Sequence, residues 1–362
     1  MKIRYIGNFN DGTGWAKAST YNALALDAAG YDVYCKEVKY NNNSIVLEDK
    51  ITELLAKQTD SVDIVVQHCL PSDYRYFGGV KNIGFVALET LSLSNVLWLK
   101  KINMMDEVWV PNKASKECLV TSGIPADKIK VFNHSFNYQR IKENKNIAKI
   151  SELNSSFNFV FVGEFNKRKN LESLLVAFHN EFKKNENVNL YIKTLGNIET
   201  IYTFCQSVKD RMKKHNSYKR EVIISNIVPE DQLLSTMSQC HAFVMPSHGE
   251  AWCYPAMEAM AIGLPVIYTS GIGIDDYNTG EFKVKSKKVP CYGANGNSEL
   301  PDLYTSSDNW LEIDILDLQK QMRDIYTMYT LNNREYSILS NQYSNEVAKF
   351  NFTNNDIVKG LI

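Results

Sequence analysis

The feature that most restricts the fold of this chain is an alternation of short apolar runs with amphipathic stretches, which breaks off once and then starts again. Lys2–Ile6, Asp32–Val38, Ile64–Gln67, Ile83–Val86, Val108–Val110 and Ile129–Phe132 read as strands, with Ala16–Ala29, Leu47–Lys57, Asn95–Asn103 and Ala114–Ser122 as the helices among them. Strands regularly separated by helices require a parallel sheet with helical crossovers. From Asn137 to Asn158 the chain is rich in Asn, Lys, Glu and Ser and loses its period, so residues 141–156 are expected to form a linker. The alternation resumes with strands Phe157–Val162, Leu190–Lys193, Val222–Ile224 and Phe243–Met245, and helices Leu171–Phe182, Thr200–Lys214 and Glu230–Ser238; Pro265–Thr269 and a Gly-rich, partly acidic loop come next. A polar stretch, Tyr292–Asp308, and helical segments Leu316–Tyr329 and Asn333–Phe350 follow. A length of 362 residues also exceeds what one core usually organises. The expected fold class is α/β, with two Rossmann-like, doubly wound domains. Ligands are expected at the carboxyl ends of the strands, in a cleft that both sheets face.

Composition removes several function classes. Lys+Arg number 40 against Asp+Glu 41, for a formal net charge of -1, so no global field draws in nucleic acid or an anionic membrane. Any basic site must be local. Met1–Gly7 reads as a strand and lacks the features of an export signal, and no apolar stretch approaches the roughly 18 residues of a membrane span. A cytoplasmic location is expected. The 7 cysteines are scattered without a Cys-x-x-Cys pair, which favours reduced thiols over structural zinc.

The most informative loop runs from Met245-Pro246-Ser247-His248-Gly249-Glu250 through Trp252-Cys253-Tyr254-Pro255 into Glu258-Ala259-Met260-Ala261-Ile262-Gly263-Leu264-Pro265. It follows a strand and opens a helix, and Pro255 suits the first helical turn. The amides of Cys253 and Tyr254 would then lie at a helix N-terminus, where a phosphate is favoured. Glu258, one turn inside, can accept hydrogen bonds from a diol such as ribose, and Glu250 can reach hydroxyls on a second ring. This stretch resembles the family-4 retaining glycosyltransferases of the GT-B fold, whose signature is two Glu separated by seven residues and ending Glu-Ala-Met-Ala-x-Gly-x-Pro. The resemblance implies that Glu250 contacts the donor hexose, that Glu258 binds the ribose, and that the Trp252–Tyr254 amides contact sugar and phosphates. Where that family usually has Gly-Phe-Gly after the first Glu, this chain has Ala251-Trp252-Cys253, a difference that bears on the hexose.

A second loop, Val162-Gly163-Glu164-Phe165-Asn166-Lys167-Arg168-Lys169-Asn170, also joins a strand to a helix. Arg binds phosphate oxygens through paired N–H groups and Lys adds a compact charge, so the run suits a diphosphate. In the resembled family an Arg or Lys pair binds the pyrophosphate. Lys169 falls at the expected Lys, while Glu164 replaces the usual Arg and shifts that role to Arg168.

In the first half, Gly12 and Gly14 in Asn8–Ser19 permit close approach of backbone to a ligand. The loop fails as a dinucleotide fingerprint because Lys17 stands at the third glycine. It is similar to the family's Gly-rich loop that faces the donor phosphates or the acceptor. His68 and Glu89 follow strands and are expected at the cleft edge as acid/base and sugar-positioning candidates. His134 has no assigned role, and Trp15 and Trp252 stand out as aromatic residues inside ligand loops.

The resemblance implies a first domain over 1–140 on the acceptor side, a nucleotide-sugar domain over 157–335, and a segment 336–362 that packs back on the first domain. It further implies transfer of a hexose, with retention and without metal, from a UDP- or GDP-linked donor to a glycan, lipid-linked or other hydroxyl. Two other readings stay open. One is a GT-B-fold sugar-nucleotide epimerase; the other is a non-catalytic protein that binds a nucleotide sugar or glycan.

Overall fold

The computed structural model describes residues 1–42, 44–144, 156–214, 219, 221–292 and 303–362. Most of the expected linker 141–156, and part of Tyr292–Asp308, lie outside the described residues. The chain divides into two compact units. The first includes Met1–Gln139 and Lys349–Ile362, the second Arg140–Glu299 and Tyr304–Ala348.

In the first unit β1 (Lys2–Gly7), α1 (Gly14–Ala28), β2 (Asp32–Glu37), α2 (Asp49–Ala56), β3 (Ile64–His68), β4 (Lys81–Phe85), α3 (Val96–Met104), β5 (Glu107–Val110), α4 (Lys113–Thr121) and β6 (Ile129–Val131) follow one another. The strands form a parallel sheet in the order β2-β1-β3-β4-β5-β6. β3, Ile-Val-Val-Gln-His, is buried along its whole length, as a parallel strand covered on both faces must be. The strand order reverses between β1 and β3, where Gly7 stands opposite His68. A Cβ on Gly7 would meet Ser19 Oγ at 2.8 Å, so α1 lies this close to the sheet only over a glycine. Thr13 starts α1 by accepting from Ala16 N at 3.2 Å, and Asn95 and Asn112 cap α3 and α4 in the same way.

The division between units falls inside the short helix α5 (Tyr138–Glu143). The second unit then repeats the plan with β7 (Phe157–Val162), α6 (Leu171–Glu181), β8 (Val188–Lys193), α7 (Ile198–Arg211), β9 (Val222–Ile224), α8 (Glu230–Ser238), β10 (Ala242–Met245), α9 (Tyr254–Ala261), β11 (Val266–Thr269) and β12 (Lys283–Val284). Its parallel sheet has the order β12-β11-β10-β7-β8-β9, which is the dinucleotide-fold order read from the other edge. Central β7, Phe-Asn-Phe-Val-Phe-Val, is buried throughout. An antiparallel ribbon of β13 (Ser286–Pro290) and β14 (Asn309–Ile313) precedes α10 (Ile315–Leu331) and α11 (Asn333–Ala348).

Helix α11 corrects one expected boundary. It groups with the second unit, where Ser344 Oγ donates to Ala261 O at 3.0 Å at the end of α9, and only Lys349–Ile362 groups with the first. There Phe136 N donates to Phe350 O at 3.1 Å and Phe352 N donates to Phe136 O at 3.0 Å. Among the described residues no helix is long and apolar enough to cross a membrane.

Candidate active site

The reversal of strand order in the second sheet lies between β7 and β10, so the loops that leave these two strands emerge side by side. These are the two loops singled out by sequence. After β7, Asn166 Oδ1 accepts from Lys169 N at 3.1 Å and starts a single 3-10 turn, Lys167–Lys169. Asn170 then takes the left-handed conformation (φ 54°), which Asn tolerates better than most residues, and turns the chain into α6. The outcome separates three consecutive cations: Lys167 is exposed, Arg168 half-buried and Lys169 buried. The stem of Lys169 lies over Gly163, where a Cβ would meet its Cδ at 3.3 Å.

After β10 the chain is tied to that turn. His248 N donates to Arg168 O at 2.7 Å, and Ser247 Oγ lies 3.0 Å from Arg168 O and 2.9 Å from Gly249 O. Arg168 Nη1 donates to Gly249 O at 2.7 Å and to Glu250 Oε1 at 3.0 Å; Lys169 Nζ donates to the same carboxylate oxygen at 2.7 Å. Glu250 is only 5% exposed. Burial opposes its charge, but Lys169 and then Arg168 outweigh burial and hold its pKa below the ordinary carboxylate value.

The loop continues into α9 through a strained corner. Cys253 adopts the left-handed conformation (φ 72°), unusual for a residue with a Cβ, and supplies no side-chain cap to α9. Tyr277, wholly buried, holds this corner with its hydroxyl 2.9 Å from both Trp252 O and Cys253 O, while Gly273 N donates to Glu250 O at 2.9 Å. Pro255 lies in the first turn of α9, so the helix opens as the sequence indicates, with its positive end beside the Glu250 loop. Glu258 is buried one turn in, and α9 closes at Gly263 (φ 84°), where Leu264 N donates to Ala259 O at 2.8 Å in a Schellman end.

Residues 142–283, which contain both loops, match the family of glycosyl transferases group 1. This stretch, within the second unit, is what the chain shares with the group 1 glycosyl transferases. The capsular polysaccharide biosynthesis glycosyltransferase CapM of Staphylococcus aureus is 24% identical over 182 residues, 45% of this chain and 46% of that protein. The chain thus spans about half the length of this curated relative. Among solved structures, Anabaena HepE in complex with UDP-glucose aligns with a TM-score of 0.63 at 15% identity, covering 100% of this chain and 99% of HepE. A glycosyltransferase from Rickettsia africae aligns at 0.66 and 13% identity, with 99% of each chain covered. These likenesses show the fold, which is GT-B.

The structure brings Arg168, Lys169 and Glu250 into one hydrogen-bonded cluster. The sequence reading had given the cations and the carboxylate separate ligands. Trp252, Cys253 and Tyr254 are buried at the corner between Glu250 and α9. The remaining candidates lie in the first unit. Gly12 (φ 73°) is exposed ahead of α1, Gly14 is exposed as its first residue, and Glu89 is half-buried after β4.

His68 departs from the expectation of an open-edge acid or base. It is 1% exposed, its Nδ1 lies 2.8 Å from Tyr5 Oη and 3.3 Å from Ser19 Oγ, and its ring centroid is 4.2 Å from that of Phe85 and 5.6 Å from that of His134. Burial, then the neighbouring His134, push its pKa well below the usual histidine value, so it stays neutral. The end of a central strand is simply too well covered for a titrating surface group. His134 is likewise held down to about 3 by burial.

Sequence reasoning missed Ser247 and Tyr277, which hold the loops together. Tyr277 sits in an irregular stretch with no periodicity to mark it. Lys193, a cation ending an apolar strand, was legible as an anomaly and was passed over.

Proposed function

We propose that this chain transfers a hexose, with retention of configuration, from a nucleotide-diphosphate sugar to a hydroxyl acceptor and needs no metal ion to do so. The observation that carries the reading is the convergence of Arg168, Lys169 and Glu250 at the switch point of the second sheet, beside the N-terminus of α9. Arg168, Lys169 and the α9 amides would stabilise charge growing on the departing diphosphate, the kind of preorganised term that dominates many rate enhancements. Glu250 would hold sugar hydroxyls while keeping both cations aligned, and Glu258 would accept from the ribose diol. The acceptor hydroxyl attacks the face the diphosphate leaves, and its proton passes to the leaving phosphate, so no protein base is required.

The UDP-glucose bound by HepE favours a uridine nucleotide over a guanosine one, and the likeness to CapM favours a polysaccharide or lipid-linked acceptor. Acceptor recognition is assigned to the first unit, where Gly12, Gly14 and Glu89 are the candidate residues. A thermal-shift panel of UDP- and GDP-sugars in EDTA, followed by a donor-hydrolysis assay on each stabilising compound, tests the reading. Stabilisation and hydrolysis in EDTA are expected; a strict need for Mg²⁺ or Mn²⁺ overturns metal independence.

A further inference from the structure

At the carboxyl end of β8, the strand beside β7, Lys193 and Thr194 are buried next to each other, 8% and 2% exposed. Lys193 stands opposite Val162 in register and accepts at its carbonyl from Gly163 N at 3.0 Å, so it adjoins the glycine that Lys169 covers. Its Nζ donates to Thr194 O at 3.0 Å. Thr194 Oγ1 is buried with no hydrogen-bond partner among the described residues. The loop that follows, Leu195–Asn197, is exposed.

The buried lysines differ in one respect. Among the described residues, Lys169 pairs with Glu250 at 2.7 Å and Lys209 with Glu221 at 2.9 Å, whereas no carboxylate pairs with Lys193. A buried ammonium with one carbonyl partner keeps most of its desolvation cost uncompensated. Burial accordingly holds its pKa below the ordinary lysine value. Nor does the Arg168–Lys169–Glu250 cluster match a nucleotide sugar in charge by itself. One carboxylate against two cations leaves a single positive charge, while the diphosphate of a sugar nucleotide carries two negative ones.

We propose that Lys193, with the Thr194 hydroxyl, is a second holding point for the donor diphosphate and supplies the missing positive charge. An ammonium can only donate and the neighbouring hydroxyl is free to do so, which selects an acceptor-rich oxyanion. This rests on the reading of the chain as a user of nucleotide-diphosphate sugars.

The test is calorimetric titration of UDP and GDP into the whole chain, its Lys193→Met, Lys193→Arg and Thr194→Val variants, with thermal unfolding of each ligand-free protein. Lys193→Met keeps the stem and removes the charge. It should weaken binding of the preferred nucleotide roughly ten- to hundredfold, as loss of a charged hydrogen bond does, with no fall in ligand-free Tm. Lys193→Arg should recover part of the loss, and Thr194→Val should weaken binding by less than Lys193→Met. The inference is overturned if Lys193→Met binds the nucleotide as the parent does, whatever its Tm, or if Lys193→Arg recovers nothing. If the parent itself binds neither UDP nor GDP, the functional reading fails first and this one falls with it.

Discussion

Two cations meet one carboxylate oxygen at Glu250, and that geometry decides what substitutions there should do. On the proposed mechanism Lys169→Ala removes a charge that stabilises the leaving group, so kcat should fall roughly 10²-fold, more than donor affinity falls. Lys167→Ala, in the same run but exposed, should be nearly silent in the same transfer assay. Glu250→Gln strands two cations in a buried site and should cost about 3 kcal/mol of stability by denaturant titration. It should also depress transfer while leaving UDP affinity equal or tighter, whereas Glu258→Ala should weaken UDP binding itself. Equal loss of UDP affinity in both variants contradicts that division of labour. Because the Glu250 pKa is lowered by folding, its ion-pair contribution is complete above the unfolded carboxylate value of about 4.3 and disappears as pH falls through the lower folded value. The seven-residue spacing from Glu250 to Glu258 was legible in the sequence because it lies along one loop and helix. The pairing of Glu250 with Lys169 spans 81 positions, and no local pattern announces it.

At the scale of elements, the strands and most helices followed from periodicity, since buried parallel strands such as β3 and β7 leave nearly continuous apolar runs. What periodicity could not supply was the shape of the corners between them. The turn at Cys253 depends on Tyr277, whose hydroxyl touches two carbonyls. Tyr277→Phe should therefore cost about 1 kcal/mol of stability and weaken UDP binding, with calorimetry as the check; unchanged UDP affinity would show that the corner holds without it. The ends of β3 and β6 offer a different prediction. His68 and His134 are buried and neutral, with folded pKa values below the unfolded value of about 6.5. The unfolded chain therefore takes up protons first, and stability is full above about pH 6.5 and declines on acidification by about 1.4 kcal/mol per pH unit for each histidine. Amide exchange in β1 and β3 measures this, and His134→Gln should remove one histidine's share of the slope.

Over the whole molecule, the repetition of one α/β plan was readable because the polar stretch after Asn137 interrupts it. The return of the chain to the first unit was expected from 336 but begins at Lys349, because α11 and the segment beyond it differ in partners rather than in pattern. Phe350, Val358 and Leu361 are buried in that segment, so deletion of Lys349–Ile362 should remove roughly 5 kcal/mol from the first unit by their lost burial. Limited proteolysis should then cut the first unit well before the second. The account as a whole stands on sugar transfer driven by protein cations at the switch point of the second sheet. Its most direct test is hydrolysis of a UDP- or GDP-sugar in EDTA by the parent chain and by Lys169→Ala. The account predicts turnover by the parent without metal and a loss of roughly 10²-fold in the variant. Turnover that appears only with added Mg²⁺ or Mn²⁺, or a variant as fast as the parent, would contradict it.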